Sequence, residues 1–300
     1  ASGAPPLSGI IAGIIGGIVI GYFSNSNISV SGPAAGLAAI VLAAITELQA
    51  FELFLCAGLI AGFIQLLLGF MKAGSISNYF PNSVIEGMLA GIGIIIILKQ
   101  IPHALGYDAR PFSSEVVFEN GYSWASISSY LSTLLSSMHL GAVIVTLISL
   151  SILILWDKIP SLKKFKLMPG ALVAVVVGIL INELFKMSGN SLAISSEHLV
   201  TLPVPESAAD LAALVTMPDF SGFLNPQVWI IGATIAIVAS IETLLCIEAS
   251  DRLDSQRRIT DTNQELRAQG IGNMLSSIIG GLPITSVVVR SSANANSGAT

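Results

Sequence analysis

Long apolar runs, separated by short polar segments, follow one another along most of the chain. A helix needs roughly 20 mostly apolar residues to cross the hydrocarbon core of a bilayer. The pattern therefore predicts an all-α polytopic membrane protein. Its predicted membrane segments lie at residues 8–23, 28–46, 51–71, 82–98, 139–156, 169–185, 227–248, 268–282 and 284–300, the last being the start of a half-helix.

The segment at 28–46 departs from the pattern of a continuous span. Polar residues precede it, its first residues alternate briefly between apolar and polar, as in a strand, and the sequence SGP follows. Proline is favoured in the first turn of a helix, so Pro33 is predicted to begin a helix that Ser31 or Gly32 caps. That helix would end near residue 45, too early to cross a bilayer alone.

The segment that closes the chain has the same organisation. The β-branched run 287–289 is typical of a strand, and the polar group 290–292 follows as the candidate cap of a second short helix rich in small residues. Matched interrupted spans in two halves of a chain indicate an inverted repeat with a binding site near the bilayer midplane. Strand-type backbone at that depth is tolerated where it is buried in protein or lines a cavity.

Composition agrees with a membrane location and excludes several classes of partner. The chain is 53% hydrophobic and 10% charged, with a net charge of −5, whereas soluble domains carry about 25% charged residues. No basic block suggests a nucleic-acid partner. Cys56 and Cys246 lie inside apolar runs, and the histidines lie far apart, so we expect no disulfide, no metal site and no cofactor.

The distribution of basic residues predicts the orientation. Lysines and arginines concentrate in segments 157–168 and 248–270, while segment 187–226 carries acids and no lysine or arginine. The positive-inside rule places the two basic segments in the cytoplasm and the acidic one outside. Counting back places residues 1–7 outside, so we expect a further span before them. We expect a multi-pass protein of the plasma (inner) membrane.

The two interrupted spans suggest a binding site for an anion. A helix amino end presents unpaired N–H groups and a partial positive charge, and two such ends that meet can hold an anion. An arginine at the second end adds a full positive charge; in the alternative interpretation it extends to the membrane interface or pairs with an acid. The predicted anion-binding residues are Ser31, Gly32, Pro33, Ala34, Arg290, Ser291 and Ser292.

Glu242 is the acid placed deepest within a predicted span. Two roles are open: it binds a co-transported proton or cation, or it balances the charge of Arg290. Gln65, in the span 51–71, is predicted to form hydrogen bonds between helices.

Three stretches carry a resemblance to a known family. They are ISVSGPAAGLAAI, SVIEGMLAGIGIIIILKQIPHALG and, above all, NQELRAQGIGNMLSSIIGGLPITSVVVRSSANANSGA. They resemble the sulfate permease (SulP) family of inorganic-anion transporters, the group that includes prestin and pendrin. The resemblance extends over nearly the whole chain and is weakest at 106–137 and 187–226.

The resemblance implies a seven-plus-seven inverted-repeat fold, shared with uracil permeases, in which a core and a gate domain move as an elevator. On that fold this chain would hold the second span through the start of the tenth and would be truncated at both ends. The first span, spans eleven to fourteen and a cytoplasmic STAS domain would lie outside it. A homodimer would form through those other parts.

The resemblance also implies roles for single residues. Arg290 matches the basic residue beside the anion, and Glu242 matches the eighth-span acid linked to proton or cation coupling. Cys246 and Val288 stand where sodium-dependent bicarbonate members have hydroxyl residues. The resemblance therefore supports sodium coupling less well than proton coupling or exchange, and these two stay open.

Together these observations predict secondary active transport of small inorganic anions, namely sulfate, bicarbonate or chloride, in a lipid bilayer. A nucleobase or organic-anion permease of the same fold and an anion channel or exchanger are the alternatives. An intramembrane enzyme would need a Ser–His pair, two aspartates or a metal cluster within the spans, and the sequence shows none. We therefore predict a transporter rather than an enzyme.

Overall fold

The computed structural model describes residues 3–33, 36–79, 82–107, 132, 134, 136, 138–159, 170–188, 192–194 and 215–299. Most of them are helical. The first helix, α1, is Pro6–Ile15, and it continues through a π-helical segment Gly16–Ile20 and a last turn Gly21–Phe23. The remaining helices are α2 Ala38–Leu48, α3 Phe51–Phe70, α4 Asn82–Leu105, α5 Leu140–Lys158, α6 Gly170–Met187, α7 Pro226–Leu253, α8 Thr262–Ile278 and α9 Val288–Asn296.

Helix lengths separate spans from half-helices. Among the described residues, Pro6–Phe23, Phe51–Phe70, Gly170–Met187 and Pro226–Leu253 are long and apolar enough to cross a membrane. Helix α2 has 11 residues and α9 has 9. At about 1.5 Å per residue, each is roughly half the length needed for a hydrocarbon core of about 30 Å. The prediction of short helices after extended segments is thus confirmed.

The chain divides into two compact units, one formed by residues 1–92 and 202–300 and the other by residues 93–201. In the second unit, α5 packs against α6. In the first unit, α3 packs against both α7 and α8. Every predicted site residue that the structure describes belongs to the first unit.

Helices α3 and α8 approach each other with their backbones in contact. A Cβ atom at Gly62 would lie 2.8 Å from the carbonyl oxygen of Gly270, and one at Gly270 would lie 2.6 Å from the backbone nitrogen of Leu66. Small residues permit such an approach in a membrane protein, where packing rather than water exclusion holds helices together. Helix α8 therefore has a closely fixed position on α3.

Two short strands pair in the first unit. Strand β1 is Ser31–Pro33, strand β2 is Ile284–Ser286, and they are antiparallel with Ser31 opposite Ser286 and Pro33 opposite Ile284. Proline disfavours helical backbone in the residue before it, which keeps Gly32 extended. The β-branched pair Ile284 and Thr285 favours a strand in β2. Helices α2 and α9 leave this pair from its opposite ends, with their amino ends towards it.

The ends of the two strands and the starts of the two short helices differ from the predicted ones. Pro33 ends β1 instead of starting a helix, and the N-cap of α2 is Leu37, so neither Ser31 nor Gly32 caps it. Likewise β2 ends before the valine run; Val287 is the N-cap of α9, and Arg290 lies within the helix. The reason is the strand pairing, which draws Ser31–Pro33 into extended structure against a segment some 250 residues away.

Candidate functional site

The amino ends of the two half-helices lack side-chain caps. Neither Leu37 before α2 nor Val287 before α9 makes a capping hydrogen bond with its side chain. The amino ends of α1 and α3 likewise lack one, whereas those of α7 and α8 are capped by Asn225 and Asp261. Uncapped first-turn N–H groups carry the positive end of the helix dipole and favour an anion.

The side chain of Arg290 crosses from α9 to β1. Its Nη2 atom lies 3.5 Å from the carbonyl oxygen of Pro33. A Cβ atom at Gly32 would overlap with Nη1 of the same side chain, so glycine is what lets the guanidinium lie against the strand. Arg290 is exposed, and most of its five N–H donors remain available to a ligand. The arginine thus links the two strand–helix units and presents positive charge between them.

Glu242 lies at the amino end of the other half-helix. A Cβ atom at Gly36 would be 2.8 Å from its Oε1 atom, which places the carboxyl group against the turn that leads into α2. Among the described residues it forms no salt bridge and no hydrogen bond. The interpretation in which Glu242 balances Arg290 as a close ion pair therefore has no support in the structure, and the role in coupling stays a prediction.

The serines of the predicted site have different surroundings. Ser291 is fully buried; its hydroxyl accepts a hydrogen bond from the Val30 backbone at 3.0 Å and donates one to Val287 at 2.9 Å. Ser31 is buried and accepts a hydrogen bond from Gln269. Ser292 is half-buried. Ser291 and Ser31 thus tie the strands to their surroundings, which leaves Ser292 as the more accessible hydroxyl.

The structure brings most of the predicted anion-binding residues together around the strand pair. Ser31, Gly32 and Pro33 form β1, and Arg290 reaches them from α9. Ala34 lies outside the described residues. On the side of Glu242, the backbone amide of Val288 points at the sulfur of Cys246, so the two positions that lack hydroxyl groups in the resemblance are neighbours.

Arg252 in the last turn of α7 and Arg258 after that helix are less available to an anion than Arg290 is. Arg258 donates to Asp254 from Nε at 2.7 Å and from Nη2 at 3.2 Å, and these bonds are the largest cause that lowers the pKa of Asp254 to about 2. Arg252 pairs with Glu248 at 3.0 Å. Both positive charges are thus compensated by an acid four residues earlier in the chain.

Hydrogen bonds from α8 reach the two strands, and the sequence did not predict them. Gln269 donates to Ser31 at 2.7 Å, and Asn273 forms hydrogen bonds with both backbone groups of Ile284. Gln65 accepts from Asn273 and donates to Ser240, so its predicted role between helices is confirmed. The only available signal was the position of Gln269 and Asn273 within the stretch that carries the resemblance.

Comparison with known proteins gives one family throughout. The sulfate permease family profile matches residues 1–300. The putative sulfate transporter YvdB of Bacillus subtilis (strain 168) is 29% identical over 304 residues, which cover 100% of this chain and 52% of that protein. The bicarbonate transporter BicA of Synechocystis sp. (strain ATCC 27184 / PCC 6803 / Kazusa) is 27% identical over 97% of this chain and 49% of its own length. The chain therefore spans about half the length of the curated relatives it matches.

The fold has a counterpart among solved structures. The transmembrane domain of a cyanobacterium bicarbonate transporter, BicA, superposes with a TM-score of 0.72 and 26% identity, over 100% of this chain and 71% of that one. This match confirms the predicted helical transporter fold with its two short strands. It also identifies the chain as an integral multi-pass membrane protein.

Proposed function

Because the chain belongs to the sulfate permease family over residues 1–300, whose matched relatives are transporters and not enzymes, we propose that it carries small inorganic anions across a membrane by secondary active transport. The substrate is sulfate, bicarbonate or chloride. One observation carries the proposal: the Arg290 guanidinium lies on Gly32 and Pro33, between two half-helices whose amino ends have no side-chain cap.

The anion is held by guanidinium N–H groups and by first-turn backbone N–H groups. Charge-assisted hydrogen bonds of this kind are stronger than neutral ones and suit the flat or tetrahedral faces of oxyanions. A nucleobase has no full negative charge to match an arginine in this position. The geometry therefore favours an inorganic anion over a nucleobase.

Alternating access follows an elevator movement in this proposal. All described site residues, including Glu242, belong to the unit formed by residues 1–92 and 202–300. A site contained in one compact unit can move with that unit as a single body, which a site divided between two units cannot do. The same unit then carries the anion and the coupling group together.

Uptake into liposomes that contain the purified protein tests the function. Labelled sulfate, bicarbonate and chloride are supplied separately, each with and without a sodium or a proton gradient. We expect saturable uptake of at least one of these anions and no uptake of labelled uracil. Uracil uptake without anion uptake would contradict the proposal, and flux that does not saturate would indicate a channel.

Glu242→Gln is expected to flatten the pH dependence of anion uptake. The carboxyl group lies at the amino end of α2 without a cationic partner among the described residues, so it is placed to gain and lose a proton during the cycle. The amide has nearly the same shape and cannot bind a proton. Initial uptake rates at a series of pH values from about pH 5 to about pH 8 provide the measurement.

The matched control is Glu248→Gln, on the same helix, whose carboxyl pairs with Arg252. It should keep the pH profile of the unmodified protein. If Glu242→Gln keeps that profile as well, Glu242 has no part in proton coupling.

A further inference from the structure

Two amide side chains on α8 hold the two strands of the site. Gln269 and Asn273 are four residues apart, so they lie on the same face of the helix. Gln269 is 0% exposed and Asn273 is 2% exposed. Gln269 reaches β1 and Asn273 reaches β2. We call this pair the amide clamp.

Gln269 holds β1 through its Nε2 atom. That atom donates to the hydroxyl of Ser31 at 2.7 Å and to Oε1 of Glu265 at 2.9 Å, which uses both of its hydrogens. Glu265 is itself fully buried and accepts a hydrogen bond from Ser24. Glu265, on the same helix, therefore fixes the direction of the Nε2 group of Gln269. That group in turn fixes the position of the Ser31 hydroxyl.

Asn273 acts on β2 as a further strand would. Its Oδ1 atom accepts from the backbone nitrogen of Ile284 at 2.6 Å, and its Nδ2 atom donates to the carbonyl oxygen of the same residue at 3.0 Å. The residue opposite Ile284 on β1 is Pro33, and the pairs alternate from the hydrogen-bonded pair Val30–Val287, so Pro33 and Ile284 form a non-hydrogen-bonded pair. The backbone groups of Ile284 therefore point away from β1, and the amide of Asn273 supplies a partner for both.

The remaining hydrogen of Asn273 fixes its orientation. Nδ2 also donates to Oε1 of Gln65 at 2.6 Å, and Gln65 donates in turn to Ser240 at 3.3 Å. The amide is thereby connected to α3 and, through Gln65, to α7, and a rotation of its side chain would break its hydrogen bonds to both β2 and α3. Since α8 also has backbone contact with α3 at Gly62 and Gly270, the clamp starts from a rigid base.

We propose that the amide clamp positions the anion site, by setting both strands against one helix and thereby fixing where Arg290 lies on Gly32. This rests on the proposed function, because it names residues that act on the same site. The clamp residues do not touch the guanidinium; they determine the relative position of the backbone on which it rests. A shift of β2 against β1 would move α9 and displace the guanidinium from the amino end of α2.

Asn273→Asp and Gln269→Glu test the clamp with almost unchanged side-chain volume. Each replaces the donor NH₂ by an oxygen, so Asn273→Asp loses the bonds donated to the Ile284 carbonyl and to Gln65 but keeps the one accepted from the Ile284 nitrogen. Gln269→Glu can no longer donate to Ser31 or to Glu265. The matched controls are Asn263→Asp and Gln264→Glu on the same helix. Asn263 binds Gly74, and Gln264 binds Phe23, so neither control touches a strand.

The first measurement is the half-saturating anion concentration and the maximal rate of uptake in liposomes, corrected for the amount of folded protein. Each clamp variant should raise the half-saturating concentration by about tenfold or more, the effect of losing one or two buried hydrogen bonds, while the controls leave it unchanged. A role in folding alone would lower the amount of active protein and leave the half-saturating concentration as it was. That result would overturn the proposal.

A second measurement does not depend on transport. The hydroxyl of Ser29, two residues before β1, is in hydrogen-bond contact with that of Ser286 in β2, so Ser29→Cys with Ser286→Cys should form a disulfide readily when Cys56 and Cys246 are replaced by alanine. Adding Asn273→Asp should lower the rate at which that disulfide forms, and adding Asn263→Asp should leave the rate unchanged. Equal rates of disulfide formation with and without Asn273→Asp would overturn the proposal that the amide clamp positions the strands. If the unmodified protein moved no anion, the proposed function would fail while this assay still decided on the clamp.

Discussion

Arg290→Ala is expected to raise the half-saturating anion concentration by about 10- to 150-fold. A hydrogen bond to a charged group contributes about 1.5–3 kcal/mol, and about 1.4 kcal/mol corresponds to a factor of ten in affinity. The thermal stability should change little, because the side chain is exposed and its hydrogen bond to Pro33 is long, at 3.5 Å. Initial rates of labelled anion uptake at a series of concentrations give the value.

Two controls separate charge from geometry at this position. Arg290→Lys keeps the positive charge and loses the planar fork of donors, so its half-saturating concentration should fall between those of the unmodified protein and Arg290→Ala. Arg257→Ala removes an exposed arginine from the loop after α7 and should have no effect on affinity. An unchanged half-saturating concentration in Arg290→Ala would place the anion elsewhere.

Gly270→Ala is expected to destabilise the first unit clearly. The added Cβ atom would lie 2.6 Å from the backbone nitrogen of Leu66 and 2.7 Å from the carbonyl oxygen of Gly62. Both contacts are backbone atoms of α3, so relief requires the two helices to separate rather than a side chain to turn. Overpacking of this kind costs about 1–3 kcal/mol. Anion uptake should fall as well, because α8 carries the amide clamp.

The matched control for the helix contact is Gly13→Ala. Among the described residues nothing lies within 4 Å of a Cβ atom at Gly13, and alanine favours a helix over glycine by about 1 kcal/mol. Thermal unfolding of the purified protein in detergent should show a clear fall in midpoint for Gly270→Ala and none for Gly13→Ala. Equal midpoints would mean that α3 and α8 do not meet at their backbones.

Local signals in the sequence were sufficient for the general features of the fold. The apolar runs predicted a helical membrane protein, and the sequences around Pro33 and Val287 predicted extended segments that lead into short helices. Both kinds of feature depend on residues close together in the chain. Arg290 stood out for a similar reason, since a positive charge beside an apolar run is uncommon in a membrane protein.

The details of the site depend on contacts between distant segments. The helix starts were predicted too early in α2 and too late in α9, because pairing between Ser31–Pro33 and Ile284–Ser286 decides where each strand ends. The approach of Glu242 to Gly36 likewise requires α7 to meet the turn before α2. No local pattern carries that information.

The amide clamp shows the same limit most clearly. Gln269 and Asn273 lie in a helix with several other polar residues, such as Asn263 and Gln264. Their hydrogen-bond partners on the strands are a serine hydroxyl and backbone atoms of Ile284. Without the register of the two strands, these amides cannot be distinguished from polar residues that bind elsewhere.

The position of a bound anion shows directly whether Arg290 and the amino ends of the two half-helices form the binding site. Crystals of the purified protein soaked in selenate, or in bromide if chloride is the substrate, allow the anion to be located by its anomalous scattering. We expect an anomalous-scattering peak at hydrogen-bond distance, about 3 Å, from the guanidinium of Arg290, between the amino ends of α2 and α9. A peak confined to the arginines of the loop after α7, with none near Arg290, would contradict it.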